Sequence, residues 1–211
     1  MEPMAEPGAD RPFGPKSPTV AECERVEVPA AGRVLVASDL HLLPKPTPAS
    51  EWLTRELVAE LEGWIGPGVV VLNGDVLELL AGDPPVSWVL AAHPRLTAAL
   101  RSFASLPGRS VHYLIGNHDS RLGWDEDAAR QVAEALGATI AFALELSIET
   151  GEGTRRVRIE HGNAFDRANR LVEPRNPRET PLGHHVVQEL LPAMRRAGRS
   201  VTISVQQPVL A

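Results

Sequence analysis

Val111-His112-Tyr113-Leu114-Ile115-Gly116-Asn117-His118-Asp119 runs from an aliphatic stretch through a glycine into three polar side chains that ligate cations or move protons. Three further stretches repeat the pattern. They are Val34-Leu35-Val36-Ala37-Ser38-Asp39-Leu40-His41, Val69-Val70-Val71-Leu72-Asn73-Gly74-Asp75 and Val157-Arg158-Ile159-Glu160-His161-Gly162. Short β-branched and aliphatic runs bounded by turn residues read as strands. The segments between them carry helical periodicity, so the alternation predicts an α/β fold.

Working outward, residues 33 to 38 are expected to form the first buried strand. After a loop with Pro44, Pro46 and Pro48, Ser50 is expected to cap a helix whose apolar face is Leu53, Leu57, Val58, Leu61 and Ile65. Gly66-Pro67-Gly68 ends it. A second helix is predicted from about Pro94 to Leu106, closed by Pro107-Gly108. Asp125, Glu126 and Asp127 place negative charge where a helix macrodipole favours it, and Gly137 stops that helix. From Thr139 to Ile159 two longer strands read as a hairpin around Gly151-Glu152-Gly153. A last helix is predicted from about Leu182 to Arg196, with a terminal strand in Val201 to Ala211. Residues 1–25, rich in Pro, Gly and charge near their start, read as a flexible tail, and residues 26–211 as one domain.

The chain has 211 residues, 43% of them hydrophobic, enough for one substantial core. Its net charge of -6 argues against a duplex nucleic-acid footprint, which needs clustered Lys and Arg. The aromatic content of 4% argues equally against a single-strand nuclease groove. Cys23 is the one cysteine, so a thiolate metal cluster is excluded and any metal must be held by oxygen and imidazole nitrogen. Met1 to about Thr19 lacks the apolar core of a secretory signal, and no apolar stretch approaches the ~20 residues that span a bilayer. A soluble, cytoplasmic protein is expected.

Two divalent cations about 3.5 to 4 Å apart polarise a phosphoryl group and lower the pKa of a shared water. Such a centre needs a bridging anion, and Asp75 after the Asn73-Gly74 turn suits that role. Asp39 and His41, alternate residues of an extended segment, are expected to share one cation. Asn117 and His161 are expected to hold the other. This donor set suits manganese first, with iron or zinc as alternatives. His118 is read as the proton donor to the leaving oxygen, oriented by Asp119. Glu78 sits where a two-metal site could use a supporting carboxylate, but is read first as a solvated helix position. His93 and His112 are read as structural, and His184 and His185 as a helix N-terminal turn with a phosphate-facing role as the alternative; Arg121, Arg167, Arg170, Arg175 and Arg178 are read as solvated surface, with bidentate contact to substrate phosphates as the alternative.

Ser38-Asp39-Leu40-His41-Leu42, Gly74-Asp75, Gly116-Asn117-His118-Asp119 and His161-Gly162, in this order, resemble the motifs of the calcineurin-like metallophosphoesterases. The resemblance covers roughly residues 33 to 165. It implies a four-layer α/β/β/α sandwich and hydrolysis of phosphoester or pyrophosphate bonds by a dinuclear centre with a metal-bound hydroxide. The substrate implied is a small phosphorylated molecule, a nucleotide-sugar or another phosphodiester or pyrophosphate. Asp39-Leu40-His41-Leu42 and the later Asp166 are similar to the branch of UDP-2,3-diacylglucosamine pyrophosphatases, whereas Asn163 stands where that branch often carries an aspartate. The family's late Gly-His-x-His motif is absent after His161, and Gly183-His184-His185 has the wrong spacing for it. The fold is therefore expected to be incomplete at its C-terminus, with an exposed sheet edge that a homodimer would cover. A catalytically impaired remnant that binds metal or a partner is the alternative function.

Overall fold

The computed structural model describes residues 19–29 and 31–197. Six strands and six helices follow one another as β1 (Val20–Val28), β2 (Arg33–Ala37), α1 (Pro48–Glu62), β3 (Gly68–Asn73), α2 (Val86–Ala92), α3 (Pro94–Ala104), β4 (Arg109–Leu114), α4 (Glu126–Leu136), β5 (Ala138–Thr150), β6 (Gly153–Glu160), α5 (Leu182–His185) and α6 (Leu191–Arg196). The strand order is β1-β5-β4-β3-β2, with β6 also paired to β5. Every pairing is parallel except the antiparallel β5–β6 hairpin. Parallel strands joined by helices are buried on both faces, which is why β3 is aliphatic at successive positions rather than at alternate ones.

On one face α1, α3 and α4 bury Leu57, Val58, Leu61, Leu96, Leu100, Phe103 and Val132 against Val70, Leu72, Val111 and Tyr113. The other face is covered by the sheet itself, and strand register shows why. Val28 is level with Ile148 on β5. Arg33 is level with Gly68, Gly68 with Arg109, and Val111 with Ala138. In a flat sheet, Val28 and Arg33 would thus lie roughly twelve residues, or about 40 Å, apart along the strands. The chain between them spans at most about 18 Å. The sheet must fold over along β5, bringing β1, β6 and the second half of β5 onto β2 and β3. Val28, Leu144 and Leu146 accordingly pack with Val69, Val71 and Leu114, with Val26, Val34, Ile148 and Ile159 at the margin.

The described residues thus form three layers, helix, sheet and sheet. The outer helical layer of a four-layer sandwich has no counterpart among them, and Thr154 to Arg158 on β6 are exposed.

Several boundaries differ from expectation. Val20–Val28 is a strand paired to β5, so a tail ending at residue 25 would cut through it. Only its C-terminal end alternates cleanly; Glu22, Arg25 and Glu27 are exposed, and its charge hides the strand. β2 is an edge strand with Val36 47% exposed, not a buried one. Thr47, not Ser50, caps α1. Its side chain accepts from the Ser50 N–H, while Ser50 reaches back to the Thr47 N–H, with Pro48 in the first helical turn. Ile65 lies beyond the end of α1 and is exposed; Trp64 turns inward instead and meets Phe103 edge to face. The final helix is interrupted by a π-turn at Val186–Leu190, because Pro192 has no N–H to continue the α-helical ladder. Gly137 at φ 66 does end α4, Asp125 caps it, and the β5–β6 hairpin turns at Gly151-Glu152. The terminal strand expected in Val201 to Ala211 lies outside the described residues.

Candidate metal centre

Parallel strands bring the loops after β2, β3 and β4 to one rim of the sheet. Backbone hydrogen bonds zip the first two loops together: Asp39 N–H to Gly74 O, His41 N–H to Asp75 O and Leu42 N–H to Val76 O, at 3.1, 3.0 and 2.9 Å. Leu79 N–H donates to His118 O at 3.1 Å, which adds the third loop. His161 reaches the same rim by a different route. β4 and β6 share one edge of β5, Leu114 opposite Ala141 and Glu160 opposite Ala143, so β6 runs head-on into the end of β4.

The left-handed φ values of Asp39 (56°), His41 (43°) and Asp75 (53°) are backbone conformations that non-glycine residues adopt at a cost of order 1–3 kcal/mol each. They also break the extended alternation expected of Asp39 and His41. Gly74 and Gly116 complete the cradle. A Cβ on Gly74 would overlap the His161 ring, and one on Gly116 would overlap Asp75 Oδ1.

Asp75, 4% exposed, is the hub. One group of potential ligands is Asp39, Asp75 and His161, the other His41, Asp75 and His118, with donor atoms within 4.8 Å of one another in each. Asp39 groups with His161 and His41 with His118, while Asp39 Oδ1 also lies 3.9 Å from His41 Nε2, within reach of a cation shared by that pair. Three histidines are fixed through Nδ1. His41 and His118 donate to Glu78 Oε2 at 3.1 and 2.7 Å, and His161 donates to Asn73 O at 2.9 Å. His161 Nε2 lies 3.2 Å and His41 Nε2 4.0 Å from Asp75 Oδ2. Locking one ring nitrogen sets the tautomer and leaves the other for a cation.

Glu78 is 7% exposed, so the solvated reading is overturned. Its Oε1 accepts the Leu80 and Ala81 N–H groups, while Oε2 takes both imidazoles. Burial pushes its pKa up, but hydrogen bonds from His118, His41 and the Ala81 N–H outweigh that and hold it at about 2. A lone carboxylate inside Val76-Leu77-Glu78-Leu79-Leu80 was the available signal: a charge in an apolar run is kept only where it is paired.

Burial likewise opposes ionisation of Asp75, yet the His161 hydrogen bond and the His118 N–H to Oδ1 bring its pKa below the usual range. Burial lowers the pKa of His161, and pairing with Asp75 more than reverses this, raising it to about 9. The Glu78 hydrogen bond outweighs burial at His41 and raises it.

Asp119 does not orient His118. It is fully buried; Oδ2 accepts the Tyr113 hydroxyl at 2.6 Å and the Val76 N–H at 2.9 Å, and Oδ1 accepts the Gly116 N–H at 2.6 Å. Its role is to clamp the β3 and β4 loops. Burial first, then the Asp75 charge, raise its pKa to about 6. Asn117 is half-buried and lines a small cavity with Ser120 and His184. Arg121 is paired with Asp125 and Asp83, and Arg175 with Glu22 and Val20 O. His93 bonds Leu43 O, and His112 bonds Thr139 and Ser110, so both are structural.

The donor set fits divalent cations. Among the described residues the ion-pair partners of Asp39, Asp75 and Glu78 are all histidines, without a Lys or Arg to balance three carboxylates. The model for calcineurin-like phosphoesterases matches residues 32–205. The chain belongs to the calcineurin-like phosphoesterase family. No curated protein and no solved structure matches it. Family membership and the shared Asp75 cluster together make a metal-dependent phosphoesterase the general class. No helix of the described residues is long and apolar enough to cross a membrane.

Proposed function

We propose that this calcineurin-like phosphoesterase hydrolyses phosphoester or pyrophosphate bonds of a small substrate with two divalent cations sharing Asp75. Asp39 and His161 complete one group of ligands and His41 the other, with the Asn117 amide oxygen as a further donor. Manganese is the first metal to try, then iron and zinc. Bound cations at such a centre polarise a phosphoryl oxygen and acidify water. His118, held through Nδ1 by Glu78, offers its other nitrogen to protonate the leaving oxygen. Glu78 fixes both imidazoles, and Asp119 keeps the two loops in register.

The observation that carries this reading is the common arrangement of His41, His118 and His161, each with Nδ1 occupied beside one buried carboxylate. The likeness of Asp39-Leu40-His41-Leu42 to the UDP-2,3-diacylglucosamine pyrophosphatases makes a nucleotide-sugar pyrophosphate the first natural substrate to test.

Metal content after dialysis against manganese, with turnover of an aryl phosphodiester, tests the assignments. Asp75→Asn is expected to lose most bound metal. His118→Asn is expected to keep its metal and lose turnover by about 10²- to 10⁴-fold. Unchanged metal content in Asp75→Asn contradicts the shared carboxylate, and a lost metal equivalent in His118→Asn makes that histidine a ligand. Metal uptake without turnover in the unaltered chain favours the metal-binding alternative.

A further inference from the structure

A small space opens on the loops that carry Glu78 and Asn117, and apart from Asn117 the ligand assignments do not use its lining. It is a cavity of about 20 Å³, its polar lining Asn117, Ser120, Asn169, Glu179 and His184 completed by Leu80, Leu171 and Pro181. Asn117 and Ser120 come from the loop after β4, whereas His184 comes from α5, far away in sequence. Three contacts seat this helical segment. Gly183 N–H donates to Ala168 O at 2.8 Å. Gly183 also sits so close to Asn169 that a Cβ would overlap Asn169 Oδ1. Gln188, in the following π-turn, donates to Leu80 O, two residues beyond Glu78. This segment is therefore held against the loop after β3 at one end and against Ala168 and Asn169, downstream of His161, at the other.

Glu179 and Asn169 are already engaged. The Glu179 carboxylate accepts the Val172 and Glu173 N–H groups, and Asn169 Nδ2 donates to Asp166. Asn117, Ser120 and His184 make no side-chain hydrogen bond to another described residue, although His184 lies edge to face with His185. None of the three is buried without a partner, so each side chain reaches solvent and is free to bond a group from outside the chain. A volume of about 20 Å³ admits one oxygen-sized atom, since a single water needs about 10–15 Å³ on the same measure.

We propose that this cavity seats one phosphoryl oxygen of the substrate, with His184 as a substrate-positioning residue. The inference rests on the phosphoesterase reading and deepens it. An amide has both an acceptor and a donor end. Asn117 can thus give Oδ1 to a cation and Nδ2 to the phosphoryl oxygen, while Ser120 and His184 donate from the other sides. His184 reaches the substrate from a late segment without the spacing of a paired-histidine motif.

The probe is inorganic phosphate, titrated calorimetrically into the manganese-loaded full chain, alongside KM and kcat for an aryl phosphate ester and metal content. His184→Ala is expected to weaken phosphate binding and raise KM about tenfold or more, as loss of a hydrogen bond to a charged group does, with metal content unchanged. Gly183→Ala is expected to weaken phosphate binding with His184 still in place, because the added methyl displaces the Asn169 amide that lines the same cavity. Equal phosphate affinity in the parent and both variants means a structural water only and overturns the proposal. A metal equivalent lost from His184→Ala overturns it by making His184 a ligand. A parent chain that turns over ester while His184→Ala matches its KM defeats this inference alone. A loaded parent with neither phosphate binding nor turnover defeats the phosphoesterase reading and this inference with it.

Discussion

At the scale of single residues, Glu78 and Asp119 exchange the parts that motif position assigns them. Adjacency to His118 made Asp119 look like its orienting partner. Its side chain instead turns inward to Tyr113, Val76 and Gly116, and Glu78 takes both His41 and His118. Glu78→Ala should therefore keep the fold but free two imidazoles, weakening metal affinity by about 10- to 100-fold in a manganese titration. His112 offers a test of stability away from the metal loops. Burial lowers its pKa from 6.5 to about 4 while Thr139 and Ser110 bond its ring. Between those values the unfolded chain holds the extra proton, so stability is full above pH 6.5 and declines as pH falls toward 4. At about 1.4 kcal/mol per unit, the window is worth about 3–4 kcal/mol. Urea unfolding at pH 7 and pH 5 should show that slope, and His112→Gln should flatten it.

At the scale of elements, the site depends on how closely loops approach. Gly116 lets the end of β4 lie directly against the Asp75 carboxylate, which no larger residue permits without moving one of them. Gly116→Ala is expected to lower metal occupancy as strongly as loss of a ligand does, with the far-ultraviolet circular dichroism spectrum retained. An unchanged metal titration would show that the loop yields at little cost. Helix ends were readable where local chemistry decided them: the Asp125 cap and the Gly137 stop of α4 need only neighbouring residues. The cap of α1 was displaced to Thr47 because a reciprocal pair with Ser50 satisfies two N–H groups where a single cap satisfies one.

For the molecule as a whole, the fold-over along β5 decides both core and site. Leu146 lies on the part of β5 that leaves the plane of β2 and β3 and returns against Val69 and Val71. Leu146→Ala should cost about 2–5 kcal/mol in equilibrium unfolding. A loss near zero would mean that the second sheet layer does not bury this residue in solution. The same fold-over lets β1, at one end of the strand order, connect through a few residues to β2 at the other.

The sequence by itself determined the strands β2 to β6, the α/β class and the polar residues at their ends. Those features follow from side-chain period and from turn chemistry, which act over a few residues. Tertiary structure alone decided that His161 and His118 join Asp39, His41 and Asp75 at one rim, that Glu78 is buried and that β1 belongs to the sheet. These depend on left-handed turns and on strand register across distant segments, and no local pattern of residues encodes where a loop lands when the sheet bends.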